Sequence, residues 1–428
     1  MTAPSQSSHE ALRVYLIIDM PIGAYLHYCA QLANGLAGTG RCEVRVVALF
    51  DDRNKPGIPD DERALFDPRV GLEVLGPAGG SRVVRYWRFF RNLFRHVREV
   101  RRGHRGVVHV HTGTGWPLLD TGVLLLYRLG GIRVVRTVHE LTAAERIGVP
   151  TSTQLAVGIV QARLAHRVIV HHEAERARLA PLLGEAKMSV IPHGNYLCFR
   201  SEPSLSPEAR PSPGGPLRLL FMGVKRHKGI EVFLWAMQSL HQEHAPVLAT
   251  VIGRVNTGDE DLLALIRALP NVRLEAGYIP NAALGQYYRE SELVVLPYIK
   301  GTTSGAVQLA YAFGRAVIAS DLPCFREIVR TGETGFVVPA GDADALTQAI
   351  RRAIEQRASL SVMGARALAV ACAPEYAWDR IATRTVDLYE QVLGYQSAPS
   401  PTAADAPVAA EDQRRARSER AASSTSTT

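Results

Sequence analysis

The 428-residue sequence has no apolar run long enough to cross a membrane, and it contains few cysteines. A membrane-spanning helix needs about 20 consecutive apolar residues. The N-terminus also lacks the basic flank and apolar stretch of a secretory signal. The five cysteines are scattered and form no Cys-x-x-Cys pair, which argues against a disulfide framework and a zinc site. We therefore expect a chain that works in the cytoplasm.

Two common nucleotide-binding motifs are absent as well. No Gly-x-Gly-x-x-Gly follows a strand-like run, and the turn after Leu12–Asp19 reads DMPIGAYLHY. The P-loop motif Gly-x4-Gly-Lys-Ser/Thr does not occur either. These absences argue against a dinucleotide-dependent oxidoreductase and against a P-loop enzyme.

What the sequence does contain is a regular alternation of short apolar runs with helix-length segments. Hydrophobic residues make up 46% of the chain, enough for sizeable cores. Val/Ile-rich runs that are apolar on both faces are typical of parallel strands buried between helices. The predicted strands are Leu12–Asp19, Val44–Phe50, Val107–Thr112, Ile132–His139 and His166–His171, then Leu217–Gly223, Val247–Gly253, Val272–Ile279, Leu293–Pro297, Ala316–Ser320 and Gly335–Ala340. We predict an α/β fold of two doubly wound, Rossmann-like domains facing a central cleft.

Changes in composition suggest the domain boundaries. Residues 196–216 are rich in Pro, Ser and Gly and predict a linker. The predicted division is a disordered N-terminus over 1–11, a first domain over 12–195, the linker, a second domain over 217–374, a C-terminal helix within 375–396 and a disordered tail over 397–428.

Two loops at predicted strand ends suggest a phosphate-binding site. GTTSGAVQLAYAFG (Gly301–Gly314) places backbone amides around Thr303, Ser304 and Gly305 at a helix start, which suits a diphosphate. The alternative is a turn of small residues that only lets helix and sheet pack closely.

The second loop, GVKRHKG, crowds cations at a strand end, where an anionic ligand would lie. Lys225, Arg226 and Lys228 would neutralise phosphates there. The alternative is a solvated basic turn.

The most distinctive segment of the second half is PCFREIVRTGETGFVVPAGDADALTQAI (Pro323–Ile350). Through this segment the second half resembles the donor-binding domain of family-4-type, group 1 glycosyltransferases, which have the GT-B fold. Further segments that carry the resemblance are Asn271–Pro297, the basic loop ending at Gly229, Arg136–Glu140, Ala165–Leu179 and Ser189–Asn195. The resemblance covers roughly Leu12 to Val392. It implies a retaining transfer of sugar from a nucleotide-diphosphate donor with no required metal or other cofactor.

The resemblance also implies roles for single residues. Lys228 matches the diphosphate-contacting lysine, and Arg226 is our choice for its partner arginine, with Lys225 as the reserve. His139 matches the histidine that contacts the transferred sugar. Further donor-binding positions are Gly23 in the first strand–helix turn and Tyr278 and Ile279 beside the nucleobase.

The sequence departs from the family pattern at two positions. Most members have Glu-x7-Glu, but the ungapped alignment places Gly301 and Leu309 there, so both carboxylates are missing. Relatives with Ser-Gly at the positions of Ser304 and Gly305 also lack them. No carboxylate is placed by sequence to act as a nucleophile, so we hypothesise that the donor phosphate takes the acceptor proton.

Excess positive charge is concentrated in one predicted helix. Across Arg82–Arg105 a stripe of arginines (Arg88, Arg91, Arg95, Arg98, Arg102) runs beside an apolar stripe (Trp87, Phe90, Phe94, Val97). An anionic membrane surface and a helix packed on the core by its apolar stripe are both compatible with this pattern. We expect no nucleic-acid partner, because the charge is confined to one element. His109 and His111 alternate on one predicted strand, but without neighbouring carboxylates they do not indicate a metal.

These observations predict a cytoplasmic glycosyltransferase that acts on a polysaccharide or lipid-linked saccharide, and a peripheral position at the inner membrane face is one of the two alternatives for the arginine-rich helix. Sugar-nucleotide 2-epimerisation, a non-catalytic partner of the same fold and a small-molecule acceptor stay open as alternatives.

Overall fold

The computed structural model describes residues 11–19, 24–50, 60–76, 81–103, 105–112, 116–141, 151–200, 214–255, 258–301 and 305–395. The predicted tail over 397–428 and most of the predicted N-terminal segment and linker lie outside these residues. Within them, no helix is both long and apolar enough to span a membrane.

The first sheet has seven strands in the order β3-β2-β1-β4-β5-β6-β7, and its described pairings are all parallel. Its strands are β1 (Leu12–Ile18), β2 (Cys42–Phe50), β3 (Gly71–Gly76), β4 (Gly106–Val110), β5 (Arg133–Thr137), β6 (Arg167–Val170) and β7 (Met188–Val190). The helices beside it are α1 (Ala24–Gly38), α2 (Asp60–Arg63), α3 (Arg82–Arg102), α4 (Pro117–Leu129), α5 (Ser152–Leu164) and α6 (Glu173–Leu183). The sequence pattern missed the two edge strands, β3 and β7.

The second sheet has six parallel strands in the order β10-β9-β8-β11-β12-β13. They are β8 (Leu217–Met222), β9 (Val247–Gly253), β10 (Val272–Ala276), β11 (Leu293–Leu296), β12 (Ala316–Ser320) and β13 (Gly335–Val338), each within a predicted run. The helices that follow β8 in the chain are α7 (Ile230–Gln242), α8 (Glu260–Ala268), α9 (Asn281–Glu290), α10 (Gly305–Ala312), α11 (Pro323–Arg326), α12 (Ala343–Glu355), α13 (Arg357–Ala371) and α14 (Trp378–Leu393). The predicted fold class, two doubly wound parallel sheets with helices, is confirmed.

The last helix returns to the first domain. Ile381, Val386 and Tyr389 of α14 are buried in the same apolar cluster as residues of β1 and α1. The hydroxyl of Tyr389 also lies 2.6 Å from Nδ1 of His109 in β4. The chain therefore crosses between the two domains twice, once before β8 and once before α14.

Candidate active site

Three neighbouring strands of the first sheet end at one cavity. Asp19, His111 and His139 follow β1, β4 and β5, which are adjacent in the sheet, so the parallel arrangement brings all three to the same edge. They line a cavity of about 150 Å³ that also borders the first turns of α4 and α5. The site predicted at His139 therefore has room for a ligand.

A cluster of buried histidines surrounds Tyr28 of α1. The ring of Tyr28 meets those of His139, His171 and His193 nearly edge-on, with centroids 4.8, 5.3 and 5.0 Å away. Among the described residues, no group of three or more His, Cys, Asp or Glu side chains is arranged to hold a metal ion. The cluster is a packed aromatic unit within the first domain.

Hydrogen bonds fix the tautomer of His139. Nδ1 of His171 lies 2.9 Å from the carbonyl of Ile191, and because a carbonyl only accepts, this nitrogen carries the proton. Burial and the nearby His139 hold the pKa of His171 well below its usual range, so the ring is neutral and its Nε2 accepts. Nδ1 of His139, 3.2 Å away, is then the donor. With Nδ1 protonated, Nε2 is the acceptor nitrogen of a neutral His139 ring.

Carboxylates also line the cavity, which sequence reasoning did not foresee. Glu140, next to His139, accepts a 2.5 Å hydrogen bond from the hydroxyl of Tyr25. Asp19 accepts a hydrogen bond of 2.9 Å from the hydroxyl of Thr112, and Asp120 of α4 stands on another wall. Hydroxyl-bearing ligands are the natural partners of such acceptors.

The basic turn after β8 is held against the segment after β11. The carbonyl of His227 accepts a 2.9 Å hydrogen bond from the backbone N–H of Ile299. The ammonium of Lys228 lies 3.3 Å from the carbonyl of Met222, to which it donates, and 5.6 Å from the ring centre of Tyr298. The predicted diphosphate-contacting lysine thus lies at the end of β8, beside the chain that leads into α10.

The three cations of this turn are not equivalent. The guanidinium of Arg226 pairs with Glu231 and with Asp261, the latter at 2.6 Å. Lys225 instead has a lowered pKa, caused mainly by burial and further by the positive charges of Lys228 and Arg254. Arg254 directly follows β9, and sequence reasoning missed it although it obeys the same strand-end rule as Lys225.

Tyr278 lies at a contact between the domains. Its hydroxyl donates a 3.2 Å hydrogen bond to the buried Glu62 of α2, and the guanidinium of Arg254 lies 5.3 Å from its ring centre. Ile279 is partly buried against the apolar cluster beneath α9 and α10. No sequence pattern pointed to Glu62.

The start of α10 packs tightly against the first domain's last loop. A Cβ on Gly305 would come within 2.8 Å of the Tyr196 ring and 3.4 Å of His193, so only glycine fits there without movement. Leu309, at the second Glu-x7-Glu position, is buried in the apolar core. The predicted donor-binding residues Gly23, Thr303 and Ser304 lie outside the described residues.

The predicted apolar stripe of α3 does not pack on the core as a whole. Val97 is buried, but Trp87, Phe90 and Phe94 are 59%, 43% and 52% exposed. Phe89, one position along from the predicted stripe, faces the core instead. The three exposed aromatic side chains, those of Trp87, Phe90 and Phe94, therefore share the solvent-facing surface of α3 with its arginines.

Comparison with known proteins agrees with this architecture. Residues 27–195 match the family described as Glycosyltransferase Family 4, and residues 216–356 match Glycosyl transferases group 1. The chain is a family-4, group 1 glycosyltransferase. This glycosyltransferase is 28% identical to the phosphatidyl-myo-inositol mannosyltransferase of Mycobacterium leprae over 87% of this chain and 94% of that protein.

Solved structures show that this glycosyltransferase has the GT-B fold. Sucrose-phosphate synthase from Thermosynechococcus elongatus superposes with a TM-score of 0.69 at 22% identity, covering 90% of this chain and 99% of that one. Anabaena Alr3699/HepE, solved in complex with UDP and glucose, superposes with a TM-score of 0.67 at 17% identity. The superposition covers 88% of this chain and 99% of that one.

Proposed function

We propose that this glycosyltransferase moves a hexose from a nucleoside-diphosphate donor, with retention, to a saccharide or lipid-linked acceptor. The observation that carries the proposal is the basic turn: Lys228 and Lys225 crowd the end of β8, and a backbone hydrogen bond ties that turn to the chain leading into α10. Cations in this position stabilise the negative charge that grows on a departing diphosphate. The UDP complex of HepE and the mannosyltransferase relative are consistent with such a donor.

The proposed reaction exchanges one bond at the anomeric carbon. The bond from that carbon to the diphosphate oxygen breaks, and a bond to the acceptor oxygen forms on the same face. The acceptor proton passes to an oxygen of the departing diphosphate. Nε2 of His139 would accept a hydrogen bond from a hydroxyl of the transferred sugar. No bound metal is required, because the protein's own cations offset the charge.

The second cation of this mechanism is Lys225 in our proposal. Arg226, preferred on the basis of sequence, could reach a diphosphate only by leaving Glu231 and Asp261. Burial, together with the charges of Lys228 and Arg254, lowers the pKa of Lys225 by more than the carboxylate of Asp259 raises it. Cationic side chains that repel one another are stabilised when an anion binds between them.

A direct test is incubation with a panel of nucleoside-diphosphate hexoses, followed by nucleoside-diphosphate release and by product analysis. Hydrolysis or transfer by the wild type, lost in Lys228→Ala, is the expected result. An epimerised sugar nucleotide formed without acceptor would favour 2-epimerisation. Absence of both binding and turnover across the panel would favour a non-catalytic partner.

We also propose that α3 rests on an anionic membrane surface. Trp87, Phe90 and Phe94 would enter the headgroup region while neighbouring arginines pair with anionic lipid. Trp116, before α4, is half exposed and its ring lies 5.9 Å from that of Tyr86 in α3, so the apolar surface continues beyond one helix. Such a surface would present the active-site cavity to a lipid-linked acceptor.

A further inference from the structure

The cavity beside His139 contains a buried side chain whose hydrogen-bonding capacity is unused. His111 is 4% exposed and lines the cavity, and in the described part of the structure neither of its ring nitrogens has a hydrogen-bond partner. Leaving a buried polar group without a hydrogen-bond partner destabilises the folded state. A group kept at that cost on a cavity wall indicates a ligand that pairs with it.

The protonation of His111 defines what it can bind. Burial, assisted by the neighbouring His109, holds the pKa of His111 well below its usual range. The neutral ring offers one N–H donor and one bare acceptor nitrogen. A hydroxyl group, which both donates and accepts, is the complementary partner, whereas a phosphate oxygen only accepts.

The charges around His111 also favour a hydroxyl-bearing ligand over a phosphate. Of the described residues that line the cavity, Asp19, Asp120 and Glu140 carry carboxylates and Arg136 carries a guanidinium. That guanidinium is partly engaged by a 3.4 Å hydrogen bond to the carbonyl of Gly158. Carboxylates accept hydrogen bonds from sugar or polyol hydroxyls and repel a phosphate.

We propose that this cavity is a subsite for an uncharged, polyhydroxylated ring of the acceptor, with His111 as a specificity-determining residue. Its volume of about 150 Å³ suits one six-membered ring. The inference rests on the proposed function, because it assigns the cavity to the acceptor of that transfer, and the transferred sugar would then reach His139 from outside the cavity.

The test measures binding of three probes by titration calorimetry, without any donor: methyl α-D-mannopyranoside, myo-inositol and myo-inositol 1-phosphate. We expect at least one uncharged probe to bind at least tenfold more tightly than the phosphate. We expect His111→Phe, which keeps a planar ring, to weaken that probe by about tenfold. His111→Gln keeps a donor and an acceptor, and it should retain most of the affinity.

A second variant guards against misfolding and isolates the charge. Asp120→Asn removes a negative charge, so it should reduce the ratio of the affinity for the uncharged probe to the affinity for myo-inositol 1-phosphate. Thermal unfolding of each variant shows whether it is folded. Stronger binding of the phosphate by the wild type, no binding of either uncharged probe, or unchanged affinity in His111→Phe would each overturn the proposal. Because no donor is present, polyol binding by a protein that lacks transferase activity would overturn the proposed function and leave this subsite standing.

Discussion

The carboxylate of Glu327, in the second domain, accepts a 3.2 Å hydrogen bond from the backbone N–H of Ala174, in the first turn of α6 in the first domain. The same carboxylate lies 3.3 Å from Nδ1 of His172. His172 occupies the N-cap position of α6 and makes no capping hydrogen bond with its own side chain. The cap of this helix is therefore supplied from across the cleft.

Removing this charge should loosen the contact between the domains. Glu327→Gln keeps the shape of the side chain but loses the attraction to the helix N-terminus, so we expect a loss of about 1 kcal/mol in the free energy of unfolding. Urea denaturation measures it. The control is Glu333→Gln, at an exposed ion pair with Arg330 within one domain. Equal effects of the two substitutions would contradict an interdomain cap.

The basic turn should depend on Gly229. Its φ is +75°, and a Cβ there would lie 1.8 Å from the carbonyl oxygen of Pro297. Gly229→Ala should therefore displace Lys228 and abolish measurable turnover. Gly332, with a φ of +79° and open space around it, provides the control, because alanine there adds backbone strain without a collision. Comparable kcat values in both variants would show that the collision is not decisive.

Single substitutions should rank the three cations of that turn. Lys228→Ala should raise the barrier by about 2–4 kcal/mol, measured as kcat. We expect Lys225→Ala to lower kcat at least tenfold and Arg226→Ala to lower it less. If Arg226→Ala lowers kcat as much as Lys228→Ala does while Lys225→Ala leaves kcat unchanged, the diphosphate is held by Arg226 and not by Lys225.

The buried histidines should make the fold sensitive to acid. Burial lowers the pKa of His109 to about 3 and that of His193 to about 4. Below about pH 6.5 the unfolded chain binds protons that the folded chain does not, so stability is complete above that pH and falls as the pH drops. As the pH falls, each such histidine lowers the free energy of unfolding by up to about 1.4 kcal/mol per pH unit.

Urea midpoints between pH 7.5 and 5.0 measure this effect. His109→Gln should reduce the pH dependence of the free energy of unfolding by about one proton. A midpoint that stays flat over this range would contradict neutral buried histidines.

Membrane binding should require both parts of the α3 surface. Replacing Trp87, Phe90 and Phe94 by serine should abolish co-sedimentation with anionic vesicles. Replacing Arg91 and Arg95 by glutamine should weaken binding by about 2 kcal/mol, at about 1 kcal/mol for each cation. Trp235→Ser removes an exposed aromatic from α7 of the second domain and serves as the control. Failure of the wild type to sediment at low salt would remove the proposal.

Local sequence patterns predicted the interior of both sheets but not the edge of the first. β1 and β4 are apolar on both faces because helices cover both, whereas β3 and β7 contain half-buried residues and lack a continuous apolar run. Helices cover an edge strand only in part, so its sequence lacks the continuous apolar run that marks a buried strand.

The candidate site residues were predicted by two routes. Lys228 was chosen for its place after a strand, and His139 was chosen from the family resemblance. The strand-end argument would also have pointed to His111 had the alternation with His109 been considered for a ligand other than a metal. Glu62 and Glu327 meet their partners across the cleft. Contacts between elements that are distant in the sequence leave no local periodicity, so their roles emerged only from the three-dimensional arrangement.

The return of α14 has a consequence for how the protein is made. Because Ile381, Val386 and Tyr389 fill a gap along α1, the first domain stays incomplete until the ribosome has translated almost the whole chain. A fragment that stops at residue 374 would carry an open apolar groove and aggregate. Anyone who wishes to study the first domain by itself must graft the last helix back or supply it as a separate peptide.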